Sequence, residues 1–368
     1  MRQGIGRGLR VAWVVLLLMQ TQRGETTEGV FPTTTWQTRT PEHVGLNTHK
    51  LAALQQHVRG RGCIVRHGYL VYVWGDPTKR GDVASAVKPW YSHFVFRAVE
   101  KGRLADLDAH VSGFVPCLNE INAHLEHKDR AITFRHLANQ TSCYGVTEAP
   151  GTAFDYNDWQ MALFFDALFL GVYGATYENL DESVLHPELT RLLECEDTPT
   201  FTAFGTGDRP GRLAVSPRDF ARFGLLYLHE GRWRGRQILA RRFARMAVTS
   251  SLPASLPRTS GEEAEMCPGQ RSIGSRSIPD NQCDHRGSYS WLWWVNGIDR
   301  HGTRHWPDAP VDTYAALGHG GMRGMAVLPS LDLVISWNDA EIHEKPDEPD
   351  PLNEAFRLLV GAASQDDP

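Results

Sequence analysis

Apolar residues recur at helical spacing from about residue 41 to 59, where a proline start leads into Lys50-Leu51-Ala52-Ala53-Leu54, and predict a first helix. The period then shortens. Cys63-Ile64-Val65-Arg66 and Tyr69-Leu70-Val71-Tyr72-Val73-Trp74 flank His67-Gly68, the pattern of a β-hairpin. From 85 to about 250 the pattern is mostly helical, with helices expected over Phe94–Lys101 and Trp159–Tyr173. Another opens at Ser216-Pro217-Arg218-Asp219, which supplies a capping serine, a proline at the first helical position and an acid two residues on. Large apolar residues thin out between Thr249 and Gly287, which predicts a long loop. Beyond it, Tyr289–Asn296, Gly324–Leu328 and Leu333–Trp337 read as strands, and Leu352–Ala363 as a closing helix. The turn Pro329-Ser330-Leu331-Asp332 makes the last two strands antiparallel.

Strand runs at both ends, with helices between, predict an α+β fold rather than a doubly wound one. The expected architecture is one antiparallel sheet built from both chain ends, flanked by helices, with an inserted, mostly helical lobe. A single domain over 40–365 would divide into a sheet part, 40–84 plus 288–365, and a helical part, 85–287.

Composition narrows the function. Hydrophobic content of 41% and charged content of 22% suit a globular chain with a substantial core. A net charge of −5 lacks the basic footprint of a nucleic-acid binder. Arg2, Arg7 and Arg10 precede the apolar run Val11–Met19, too short to cross a bilayer but suited to a signal peptide, so residues 1–23 are expected to be a signal peptide or N-terminal anchor. The protein is then periplasmic or secreted, with membrane contact only if that segment is retained. Six cysteines are compatible with an oxidising compartment. Cys267 and Cys283, in the same loop, are the best local candidates for a disulfide.

Candidate chemistry begins at Ser85-Ala86-Val87-Lys88. Residues three apart share a helix face, so the Lys88 amine can reach the Ser85 hydroxyl, and a serine needs a neighbouring base to become nucleophilic. Tyr156 lies in the turn-rich Pro150–Asp158 stretch. His319-Gly320-Gly321 precedes a strand, where glycines permit close approach of a ligand to backbone. The aromatic set Trp90, Tyr91, Trp159, Trp291, Trp293 and Trp294 suits either core packing or an apolar pocket. His124-x-x-His127 and His301-x-x-x-His305 have metal spacing but no third ligand. They are read as surface histidines, and neither metal nor cofactor is expected.

Ser85 with Lys88, Tyr156 with Asp158, and His319 with Gly321 fall in the order of three family motifs: Ser-x-x-Lys, Tyr-x-Asn and Lys-Thr-Gly or His-x-Gly. Thr133–Ser142 and Ser216–Leu228 match further family segments. Over residues 40–363 the chain resembles the serine β-lactamase and penicillin-recognising hydrolase superfamily. Within it, the chain is most similar to the class C-like group of β-lactamases, serine esterases and D-aminopeptidase-type enzymes. The resemblance implies that Ser85 is acylated while Lys88 and Tyr156 relay its proton, Tyr156 then protonating the leaving group. Asp158, His319, Gly320 and Gly321 would border the substrate. The oxyanion would rest on the backbone N–H of Ser85 and on that of Met322 or Arg323.

Three positions depart from the family pattern. Asp158 stands where asparagine is usual, and an anion there raises the pKa of Lys88 and repels carboxylates. His319 replaces the lysine that holds a substrate carboxylate in β-lactamases. Pro89 follows Lys88 and disfavours helical backbone at its predecessor. The expected activity is therefore esterase-like, on a small ester, amide or peptide. A β-lactamase or D-Ala carboxypeptidase is the first alternative, and a non-catalytic binding descendant the second.

Overall fold

The computed structural model describes Met1 and residues 29–204, 209–275, 281–342 and 350–364; the expected export segment lies, apart from Met1, outside them. Its strands are β1 (Arg61–Arg66), β2 (Tyr69–Trp74), β3 (Gly81–Asp82), β4 (Thr200–Ala203), β5 (Pro210–Val215), β6 (Arg232–Trp233), β7 (Arg236–Gln237), β8 (Tyr289–Ser290), β9 (Trp293–Val295), β10 (Tyr314–Gly318), β11 (Arg323–Leu328) and β12 (Leu333–Asn338). The α-helices are α1 (Thr48–Val58), α2 (Lys88–Glu100), α3 (Phe134–Ala138), α4 (Asp158–Phe165), α5 (Pro217–Leu228), α6 (Arg241–Thr249) and α7 (Pro351–Ala363).

Seven strands form one antiparallel sheet in the order β2-β1-β12-β11-β10-β9-β8, so strands from both chain ends lie side by side, as expected of the α+β fold. Both faces are covered, and the two-residue period sorts side chains between two cores. Ile64, Ala326, Leu333, Ile335 and Trp337 face Leu51, Leu54, Phe356 and Leu359 of α1 and α7. Cys63, Val65, Met325, Val327 and Val334 face α5 and the helical lobe.

Three elements differ from the sequence reading. Tyr289–Asn296 is not one strand: Trp291 and Leu292 both take positive φ (49° and 70°) and fold β8 back on β9. Left-handed backbone is costly for large side chains. Here it is held because the Trp291 N–H donates to Asn139 Oδ1 at 2.9 Å while the indole is buried against Phe96. β10 has no counterpart among the expected strands, since Tyr-Ala-Ala-Leu-Gly carries little β propensity, yet it pairs on both sides. A second sheet, β3-β5-β4, also interrupts the segment read as helical.

The disulfide links Cys117 to Cys267, not Cys267 to Cys283, with Cα atoms 5.8 Å apart. The 250–275 segment doubles back over the loop around residue 122. There Asn122 Nδ2 donates to Glu265 O at 2.8 Å and the Glu265 N–H to Asn122 Oδ1 at 2.8 Å, bringing Cys267 to a partner 150 residues away. Closing so long a loop restricts the unfolded chain strongly. The double variant Cys117→Ser/Cys267→Ser is expected to lose about 2–5 kcal/mol in urea unfolding.

Candidate active site

The hydroxyl of Ser85 is set by a strained turn. Ala84 takes φ 50°, its N–H caught by Asp82 Oδ1 at 2.7 Å. Left-handed backbone at a non-glycine residue persists only where its surroundings hold it, and such positions gather at functional sites. Ser85 lies in the single 3₁₀ turn Ala84–Val87, and α2 begins at Lys88. Pro89 does not displace Lys88, whose backbone stays helical (φ −54°, ψ −42°). In the first helical turn the missing proline N–H breaks no bond. From the other side, β10 closes on the turn at Gly318. A Cβ there would sit 2.2 Å from Val83 O and 3.1 Å from the Ser85 nitrogen, so glycine is required.

The fold brings Ser85, Lys88, Tyr156 and Asp158 together. Lys88 Nζ donates to Ser85 Oγ at 2.8 Å and approaches Asp158 Oδ1 at 3.4 Å. It also stands 4.4 Å from the Tyr156 ring centroid, so the phenol and the amine act on each other electrostatically. Asn157 caps α4 by accepting the Gln160 N–H at 2.7 Å, which places Asp158 in the first turn facing Lys88.

The charge state departs from the uncharged amine that general-base chemistry requires. Burial pushes the Lys88 pKa down, but Tyr156 and Asp158 outweigh it and hold the amine above its ordinary range. Burial raises the Asp158 pKa, yet Lys88, the Ser275 N–H at 3.0 Å and Arg212 bring it below the usual carboxylate range. Burial pushes the Tyr156 phenol up, partly offset by Lys88 and by its hydrogen bonds. The resting site is therefore an ammonium–carboxylate pair under a neutral phenol, with the ammonium donating to the serine.

Ser85, Tyr156 and Asp158 open into a cleft of about 620 Å³, bordered also by His319, Gly320 and Gly321. Met322 and Arg323 are placed differently. The Met322 N–H closes a turn onto His319 O at 3.3 Å, and Arg323 starts β11, its guanidinium on Asp82 at 3.0 Å. Neither borders the cleft, so the neighbour of Ser85 on this side is the end of β10 and the glycine pair beyond it. Of the aromatic set, Trp294 borders the cleft, whereas Trp90, Trp291 and Trp293 are buried in the core. His305 is no surface histidine: it lies on Trp294 at the cleft wall, and burial lowers its pKa to about 4. Arg212 and Ser275 carry no sequence signal, because their proximity to Asp158 is purely tertiary. Cys283 borders the cleft as a free thiol, its pKa pushed up to about 12 by burial.

This combination of sheet, Ser85 turn and buried lysine is that of a class of serine hydrolases. The beta-lactamase family model matches residues 52–334, and the chain belongs to that family. Solved structures agree in fold. A beta-lactamase from Mycobacterium bovis superposes with a TM-score of 0.52 at 16% identity, covering 85% of this chain and 96% of that one. EstCE1, described as a hydrolase with promiscuous acyltransferase activity, gives 0.56 at 13%, covering 86% and 99%. A penicillin-binding protein from Bacillus halodurans gives 0.52 at 11%, covering 86% and 98%. Identities this low speak for the fold alone. Comparison with curated proteins finds no match by sequence.

Proposed function

We propose that this serine hydrolase cleaves neutral esters through an acyl-enzyme on Ser85. The observation that carries the reading is the 2.8 Å contact between Lys88 Nζ and Ser85 Oγ at the cleft, with the Tyr156 ring centroid 4.4 Å from the same amine. In the reactive state the Lys88–Tyr156 pair has lost one proton. Ser85 Oγ then attacks the carbonyl carbon as its proton passes to the pair. The tetrahedral adduct collapses, the ester C–O bond breaks, and the departing alcohol takes a proton from Tyr156. Water repeats the sequence on the acyl-serine and releases the acid. His319 borders the cleft where the resemblance places a lysine that holds a substrate carboxylate, which supports esters over carboxylate-bearing β-lactams. The Cys117–Cys267 disulfide supports an exported, oxidising setting.

A second reading, a binding descendant without turnover, is favoured by one observation: the Asp158 carboxylate 3.4 Å from Lys88 Nζ holds the amine in its charged form. A fluorophosphonate probe separates the two. The expected result is time-dependent labelling seen by intact mass, mapped to Ser85 and absent from Ser85→Ala. Failure of the folded protein to label would leave the binding reading.

A further inference from the structure

Tyr156, Trp294, His305 and Trp306 form one continuous row of rings beside the cleft, its two ends, Tyr156 and Trp306, almost fully buried. Ring centroids are 6.3 Å apart from Tyr156 to Trp294, 5.6 Å from Trp294 to His305 and 4.5 Å from His305 to Trp306. Trp294 and His305 lie nearly parallel, at 16°, and both are only half-buried, so each keeps area for a ligand. We propose that this aromatic wall is the leaving-group subsite, selecting esters whose alcohol portion is a flat, uncharged ring system. The proposal rests on the esterase reading of Ser85.

Three observations support it. First, Tyr156 belongs to two sets: its ring lies 4.4 Å from Lys88 Nζ on one side and adjoins Trp294 of the wall on the other. An alcohol that takes its proton from Tyr156 departs beside the residue that anchors the row. Second, the wall is preorganised. Trp306 packs on Phe356 at 5.1 Å, and Asn296 grips its backbone, accepting the Trp306 N–H and donating to Trp306 O, both at 2.9 Å. Trp294 meets Tyr289 edge-on at 5.0 Å. A surface already rigid loses little freedom on binding. Third, the wall is uncharged, because burial and Arg286 keep the His305 ring neutral. The cations bordering the cleft are not free to recruit an anion: Arg212 leans on Asp82 at 3.5 Å, and Arg286 has partners of its own.

The test compares 2-naphthyl with phenyl acetate, leaving groups of similar acidity that differ in flat area. In His305→Ala and in Trp294→Ala the ratio of the naphthyl KM to the phenyl KM is expected to rise roughly fivefold, with KM rather than kcat carrying the change. Lengthening the acyl group from acetyl to butyryl is expected to affect wild type and variants alike. An unchanged naphthyl-to-phenyl ratio in folded His305→Ala, or a change that follows acyl length instead, overturns the subsite. Binding of 2-naphthol to Ser85→Ala, followed by fluorescence, separates the two claims. If naphthol binds and His305→Ala weakens it while wild type turns over no ester, the catalytic reading fails and the wall stands. If esters turn over but naphthol binding ignores both wall variants, the wall fails and the catalytic reading stands.

Discussion

Ser85→Ala is expected to reduce p-nitrophenyl acetate turnover by at least about a thousandfold, the scale set by removing a nucleophile whose neighbours act only through it. The substitution is mild for the fold. Ser85 is half-buried, and Lys88 keeps Asp158 and Tyr156 as partners when the hydroxyl is gone. Loss of activity with an unchanged urea midpoint therefore reports chemistry. Lys88→Ala is expected to lose tenfold or more on the same substrate, since general-base assistance contributes about 10²–10⁴. Equal background rates in wild type and both variants would point to the binding descendant. Nitrocefin turnover as fast as short-ester turnover would instead revive the β-lactamase alternative.

Asp158→Asn is expected to move the acid limb of kcat/KM down by about one to three pH units. The sign follows from the pair. The reactive form is the one lacking a proton on Lys88–Tyr156, so it exists above the macroscopic pKa of that pair. Asp158 favours the charged amine and moves that pKa up, which starves the enzyme of base near neutrality. At 3.4 Å a full carboxylate is worth on the order of 5 kcal/mol to the ammonium at an effective dielectric of about 20. Even a part of that exceeds one pH unit. Wild-type kcat/KM should therefore climb about tenfold per pH unit from 7 to 9 without a neutral plateau. The asparagine variant should gain tenfold or more at pH 7. Asparagine keeps an acceptor for the Ser275 N–H, so the loop that covers it stays in place. A fall in activity at pH 7, with the limb unmoved, would show that the carboxylate itself takes part in proton transfer.

Much of this site is legible in the amino-acid sequence. Ser85 and Lys88 meet because three residues of helical backbone bring them together, and the ordered motifs place Tyr156 and Asp158 beside them. The unfavourable effect of Asp158 on the lysine follows from charge and appears in the folded site as expected. Features with no local signature are not legible in this way. Gly318 looks like any glycine until β10 is seen pressing on the turn that carries Ser85. The tight reversal at Trp291-Leu292 contradicts local preference and is imposed by Asn139 from another part of the chain.

Local rules were thus sufficient wherever a contact spans a few residues: the hairpin β1–β2, the cap of α5 at Ser216, and the Ser85–Lys88 pair. Side-chain period also divided the strands of both chain ends between two cores. The tertiary structure alone decided which cysteine meets Cys117, that His305 lies on Trp294, and that Arg212 and Ser275 reach Asp158. Those contacts join segments far apart in the chain. Their geometry depends on how whole elements pack, and no short-range periodicity encodes it.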